Sequence, residues 1–257
     1  MSGAFAGKVV LVSGAARGFG RLAAERFAEE GARLVVTDIL AEGLAETIAA
    51  LRDLGAEAVG RAADIGEEAT APALVDLARQ SFGRLDIAIN NAGVAHGKLR
   101  LADIDTPTME RMLRINLMGT FFAMRAEIPA MLEAGGGAIV NIASVAGLGG
   151  APTLAAYAAS KHAVIGLTRS AAIEYARKGL RINAICPSFA DTHMVADTVL
   201  GPSNDPAAAK AKLTNAIPMG RLATPAEVVQ AILFAASPEN SFMTGQALVV
   251  DGGLTAM

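Results

Sequence analysis

Tyr157 and Lys161, in Tyr157-Ala158-Ala159-Ser160-Lys161, are two side chains whose types and spacing offer chemistry. On a helix a spacing of four sets both on one face, one turn apart. An ammonium beside a phenol favours the phenolate, so the Tyr157 pKa is expected to fall below its reference value of about 10, each unit being worth roughly 1.4 kcal/mol. A phenol that exchanges a proton near neutral pH is a general acid–base. Ser144 lies thirteen residues upstream. Taken singly, Ser144 also suits a loop cap, Tyr157 an ordinary half-buried phenol and Lys161 a solvated charge.

A second constellation lies near the N-terminus, in Ser13-Gly14-Ala15-Ala16-Arg17-Gly18-Phe19-Gly20. Gly14, Gly18 and Gly20 let the backbone turn tightly and approach a pyrophosphate, whose charge suits the free N–H groups and dipole of a helix start. Arg17 can help to hold a phosphate. Asp38 closes the next apolar run, where a carboxylate accepts hydrogen bonds from the ribose hydroxyls of NAD and repels the extra phosphate of NADP. NAD is therefore the expected cofactor, with NADP disfavoured. A helix N-cap is the plainer role open to Asp38.

Short apolar runs and helical stretches alternate along the whole chain to position these groups. Strands are expected at Val9–Val12, Leu34–Val36, Ala56–Ala63, Asp86–Ile89, Ala138–Ile142, Arg181–Cys186 and Ala247–Val250. Helices are expected at Phe19–Glu30, Ala41–Leu54, Glu67–Phe82, Pro107–Glu133, Ala155–Lys178 and Pro225–Ala236, with Pro129 disturbing the last turn of the fourth. The strands read as continuous apolar runs, as in a sheet covered on both faces. The expected fold is α/β: a single Rossmann-type doubly wound domain spanning 1–257, with a seven-stranded, mostly parallel sheet and helices on both faces. Ser188–Thr224 breaks the pattern, being long and turn-rich, and is expected to be a substrate lid.

The 257 residues are 53% hydrophobic and 18% charged, with a net charge of −3. That balance leaves no electrostatic footprint for nucleic acid or an anionic membrane. One cysteine, Cys186, rules out an intrachain disulfide and fits a buried thiol in a cytoplasmic protein. No apolar run reaches the ~20 residues of a membrane span. His96, His162 and His193 are scattered without metal-ligand spacing.

Together these residues resemble the short-chain dehydrogenase/reductase family over nearly the whole chain. The Gly-rich turn resembles its cofactor motif, Asn90-Asn91-Ala92-Gly93 its fourth-strand motif, Asn116 its helix asparagine, and Ser144, Tyr157 and Lys161 its catalytic set. The resemblance implies that Tyr157 exchanges the substrate proton, Ser144 binds the substrate oxygen, and Lys161 lowers the tyrosine pKa and holds the nicotinamide ribose. Asn116 would anchor a water leading from Lys161 to solvent. Ile39 would join Asp38 at the cofactor, Asp64 and Ile65 would lie at the adenine, and Asn91, Ala92 and Gly93 would line the groove. Pro187, Ala190 and Thr192 would meet the nicotinamide end. Ser13 stands where Thr is usual, Phe19 where a smaller aliphatic residue is common, and Ser188 where Gly is usual.

Val94, Ala95, Val145, Ala146, Leu148, Phe189, Met194, Val195, Val199 and Leu200 are expected to face the substrate. Their apolar character fits a neutral, hydrophobic or cyclic secondary alcohol or ketone; His193 is the one group nearby with a possible charge. Two alternatives stay open: an NADP-dependent β-ketoacyl-thioester reductase, and a non-catalytic NAD-binding regulatory protein. A homotetramer or homodimer is expected, with Phe121-Phe122 and Leu248-Val249-Val250 apolar enough to serve as contacts.

Overall fold

Both faces of each central strand are apolar, and a strand alternates its side chains between faces, so such strands must be covered twice. In β1 (Val9–Ser13), Val10 and Val12 enter one core and Val9 and Leu11 the other. The first core lies under α1 (Gly18–Glu29) and α8 (Pro225–Ala236); the second lies under α3 (Thr70–Phe82) and α5 (Gly119–Glu133). Fully burying one such aliphatic side chain is worth about 1.5–3 kcal/mol. The computed structural model describes residues 3–200 and 206–256, the side chains of 199, 200 and 206 excepted.

The remaining strands are β2 (Arg33–Asp38), β3 (Ala58–Ala62), β4 (Ile87–Asn90), β5 (Gly137–Ile142), β6 (Leu180–Pro187) and β7 (Ala247–Val250). They form one seven-stranded sheet in the order β3-β2-β1-β4-β5-β6-β7. Every pairing is parallel. The chain runs outward from β1 in one direction and then returns to place β4 on its other side. A crevice opens at that reversal, beyond the carboxyl ends of the strands. Ser13, Asp38, Asn90, Ile142 and Pro187 all end strands at this edge.

Two departures from the expected elements matter for function. The long helix expected at Pro107–Glu133 is interrupted: α4 (Thr106–Met112) passes through a π turn at Leu113–Met118 before α5 begins. A π turn adds a residue to the local repeat and has no counterpart in a 3.6-residue pattern. Pro129 is carried inside α5, which runs on to Glu133. The other departure lies in 188–224, which contains a π turn at Val195–Leu200 and α7 (Pro206–Asn215). The run Ala207-Ala208-Ala209 is a strong helix former, overshadowed in the sequence by its flanking Gly and Pro. Residues 201–205 lie outside the described residues.

α2 (Ala41–Asp53) and α6 (Ala155–Tyr175) complete the helices. Among the described residues, no helix is long and apolar enough to cross a membrane. Among them too, no cluster of His, Cys, Asp or Glu could hold a metal ion.

Candidate active site

The Gly-rich turn joins β1 to α1 and is stitched to the loop after β4. Ser13 Oγ accepts from the N–H groups of Asn91 and Ala92, each at 3.1 Å. Asn91 Nδ2 donates to the carbonyls of Ser13 at 2.9 Å and Gly14 at 3.1 Å. Serine thus makes bonds here that need only a hydroxyl. Gly18 has a φ of +60°, and a Cβ there would meet open space. At Gly20 a Cβ would lie 2.1 Å from the Gly14 carbonyl oxygen, so only glycine fits. The start of α1 has no side-chain cap and no acidic residue in its first turn, which leaves its N–H groups and dipole to an anion. Arg17, the exposed residue at that cap, adds positive charge.

At the end of β2, Asp38 is half-buried and rigidly held. Its Oδ2 accepts from Ala16 N and its Oδ1 from Leu40 N, each at 2.9 Å. The N-cap position of the following helix falls to Leu40, so Asp38 is not that helix's N-cap. Ile39 follows as a large exposed apolar side chain. Asp64 accepts from Gly66 N at 2.8 Å and pairs with Arg114 at 2.9 Å. Desolvation raises its carboxyl, but those bonds and the Arg114 charge outweigh it and hold the group below its usual range. Ile65 points inward, towards Gly119 and a small internal cavity that Ala92 also lines. Its side chain is thus directed to packing.

Ser144, Tyr157 and Lys161 come together on a cleft of about 760 Å³. Also lining it are Phe19, Asn91, Gly93, Ala95, Val145, Ala146, Leu148, Pro187, Phe189, Ala190, Thr192, Met194 and Val195. Val94 does not line it. Both its N–H and its carbonyl are tied to Asn116, at 2.8 and 2.9 Å. His193 is exposed and also lies off the cleft. The side chains of Val199 and Leu200 lie outside the described residues. The sequence reading missed several walls: Ile142 and Ala143, Gly149 to Pro152 with Leu154, Thr198, Leu254 and Thr255. Gly149-Gly150-Ala151-Pro152 carries a turn signal that could have flagged the second of these. Leu254 and Thr255 carry no local signal at all.

Asn116 sits in the π turn, its amide tied to Val94 and, through Nδ2, to Ser160 Oγ at 3.0 Å. It thereby pins α6 to the loop after β4. Its Oδ1 and Lys161 Nζ lie 3.1 and 3.5 Å from where a Cβ on Gly93 would sit. Beneath the site, Asn90 donates to Glu127 and to Asn141, each at 3.0 Å, and Asn141 donates to Thr168 at 2.9 Å. Burial pushes Glu127 up to about 7, partly offset by the Asn90 bond.

The expected fall in the Tyr157 pKa is corrected by the structure. Desolvation raises the phenol above its ordinary value, the Ser144 hydrogen bond recovers part of that, and the neighbouring Cys186 adds to the rise. Lys161 is buried, which pushes it down to about 8. Its ammonium donates to the Ile142 carbonyl at 2.7 Å and stands 5.7 Å from the tyrosine ring centroid. Burial disfavours both charged forms and outweighs the attraction that the spacing alone suggested. Cys186 is fully buried, and desolvation lifts its thiol to about 11, as suits a packing residue.

The parallel sheet, the anion-ready helix start and the hydroxyl–phenol–ammonium cluster define a nucleotide-linked oxidoreductase acting on CH–OH groups. The chain belongs to the short-chain dehydrogenase/reductase family. A family model described as enoyl-(acyl carrier protein) reductase matches residues 14–255. The chain is 42% identical to cis-4-hydroxycyclohexanecarboxylate dehydrogenase of Sinomonas cyclohexanicum over 257 residues, covering 100% of each chain. It is 38% identical to cyclohexanol dehydrogenase of Acinetobacter sp. (strain SE19), covering 100% of this chain and 98% of the relative. Among solved structures, carveol dehydrogenase from Mycobacterium avium in complex with NAD superposes with a TM-score of 0.95 at 33% identity, covering 99% and 100%.

Proposed function

We propose that this protein interconverts a neutral alicyclic secondary alcohol and its ketone with NAD, using Tyr157 as the acid–base. The observation that carries the substrate class is the cleft lining: apart from Lys161, no charged side chain faces it among the described residues. A buried carboxylate or phosphate would need a paired cation, and the lysine already sits beside the tyrosine. The named relatives act on cyclohexanol and on a hydroxycyclohexanecarboxylate, and carveol dehydrogenase holds NAD. The ring skeleton suits this cleft; the carboxylate does not.

The groove fits NAD by its uncapped helix start, the open space at Gly18 and the fixed Asp38 carboxylate. When bound, NAD supplies the ring that accepts hydride. The N–H groups opening α1 hold the pyrophosphate, Arg17 adds charge, and Asp38 accepts from ribose hydroxyls and rejects a 2′-phosphate. Gly14, Ile39, Asp64, Asn91, Gly93, Pro187, Ala190 and Thr192 complete that groove, with Ile65 and Ala92 contributing backbone only. Ser144 Oγ would donate to the substrate oxygen, and Tyr157, ionised as the phenolate that Lys161 stabilises, would take the hydroxyl proton at Oη and become the neutral phenol. Asn116, close to Lys161 across Gly93, supports the path by which that proton reaches solvent.

Residues 1–257 act as one dinucleotide-binding and catalytic unit, and 188–224 serves as the substrate lid. The chain pairs with further copies of itself to form a dimer or tetramer. The reading is supported by the free side of the edge strand β7, with Val249 and the nearby Phe234 and Phe242 exposed. A monomer in sedimentation at micromolar concentration would remove this assignment.

The functional test follows nicotinamide absorbance with NAD and NADP separately over cyclohexanol, 4-hydroxycyclohexanecarboxylate and a β-hydroxyacyl thioester. Turnover of cyclohexanol with NAD, at higher kcat/KM than the carboxylate, is expected. Preference for the thioester with NADP would establish the reductase alternative. NAD binding without turnover of any substrate would establish a non-catalytic role.

A further inference from the structure

The residues after β7 fold back into the cleft, held there by a carboxylate together with backbone bonds and packing. Beyond β7 the backbone reverses through Gly252 and Gly253, with φ of +63° and +91°. Asp251 Oδ1 accepts from Gly253 N at 2.9 Å, and its Oδ2 accepts from both Thr255 N and Thr255 Oγ1 at 2.7 Å. Charged acceptors make such bonds short and strong. A further tie runs from Met219 N to the Gly252 carbonyl at 3.1 Å, joining the turn to the end of the 188–224 segment. A Cβ on Gly252 would meet Ile217 Cγ2 at 2.7 Å, so the turn is packed as well as bonded. Leu254 and Thr255 consequently line the same cleft as Ser144 and Tyr157.

Two consecutive glycines leave the backbone many conformations. A cleft wall placed just after them has a defined shape only while its anchor holds. We propose that Asp251 is a positioning residue for substrate selection: its three bonds hold Leu254 and Thr255 as a wall that limits how bulky an alicyclic alcohol the cleft accepts. Asp251 does not line that cleft and acts only through the turn it closes. This rests on the proposed reaction. Arg221 and Glu227 line a small cavity with Asp251, and the bonds from Gly253 and Thr255 outweigh desolvation to hold its carboxyl below its usual range. The wall therefore stays anchored throughout the neutral range.

The test compares wild type, Asp251→Ala and Leu254→Ala on cyclohexanol and cyclododecanol with saturating NAD. Both variants should shift the ratio of kcat/KM values towards cyclododecanol by about tenfold, since a single methylene in an apolar pocket discriminates by that order. For Asp251→Ala, whose side chain lies off the cleft, the shift should lie in KM rather than kcat, and Asp251→Asn, which keeps one acceptor oxygen, should fall between. Unchanged ratios in both variants would overturn the inference. A second readout needs neither variant nor turnover: the Leu254 methyl resonances of the wild-type protein should move on titration with cyclohexanone. If they move while no alcohol is oxidised, the tail assignment stands and the reaction assignment fails. If they stay fixed, the tail assignment is wrong whatever the kinetics show.

Discussion

The proposed cofactor groove and the proposed substrate cleft meet at Tyr157, yet they are built from different materials. The groove consists of backbone geometry and fixed polar groups: a glycine turn, an uncapped helix start, and Asp38 locked by two N–H donors. The cleft is walled by aliphatic side chains drawn from the ends of β5 and β6, the segment after β6 and the last residues described. A polar site needs particular atoms at particular places, so each position tolerates few residue types. An apolar wall needs only volume and shape, which many residues supply. The first kind of site is specified locally and the second by the whole topology.

The sharpest way to break that contrast is at the junction. Tyr157→Phe should lower kcat by about 10²–10⁴-fold, the range of a lost general acid–base, while NAD affinity from fluorescence titration stays within a few-fold. A comparable loss of NAD binding would mean the phenol belongs to the groove. Next in size is Asp38→Ala. It should reduce kcat/KM with NAD by about tenfold or more, as expected for hydrogen bonds to a charged acceptor worth roughly 1.5–3 kcal/mol, and should raise use of NADP. Equal losses with both cofactors would show that the carboxylate only braces the turn.

Beneath the two sites, Glu127 offers a stability test. Its folded pKa of about 7 exceeds its ordinary 4.5, so the folded state binds the proton more tightly than the unfolded state. Its contribution is favourable below the ordinary value and is lost as pH rises towards 7. Glu127→Gln should therefore gain about 2 kcal/mol relative to wild type between pH 5 and pH 8, at roughly 1.4 kcal/mol per pKa unit, read from chemical denaturation at each pH. A difference that does not change with pH would place the proton elsewhere. The smallest effect is expected at Thr153, whose φ of +67° is unusual for a β-branched residue. Thr153→Gly should stabilise the fold by about 1 kcal/mol through released strain. The flanking Pro152 and Leu154 line the cleft, so the KM for cyclohexanol should rise in the same variant.

The same contrast explains what the sequence disclosed. Strand and helix positions were legible because apolar runs alternate with breakers such as Gly31 and Gly55, and β7 and α8 have the expected bounds. Ser144, Tyr157 and Lys161 were legible from type and spacing, and the structure brings them to one cleft. Leu254 and Thr255 were not, because only tertiary folding carries the segment after β7 back to β5 and α6. Nor was the π turn at Leu113–Met118, whose effect on Asn116 lies in backbone bonding. The direction of the Tyr157 pKa was misjudged for a related reason. Spacing reveals the neighbouring charge, but burial, the larger influence here, belongs to the assembled fold.

The central claim is that carbinol hydride and hydroxyl proton part company at Tyr157 and the NAD groove. The most direct measurement incubates the protein with NAD and cyclohexanol deuterated at the carbinol carbon, then determines the isotope content of the reduced cofactor by mass spectrometry. The account predicts cyclohexanone together with reduced cofactor carrying one deuterium from that carbon. Cofactor that stays oxidised, or is reduced without the label, would contradict it.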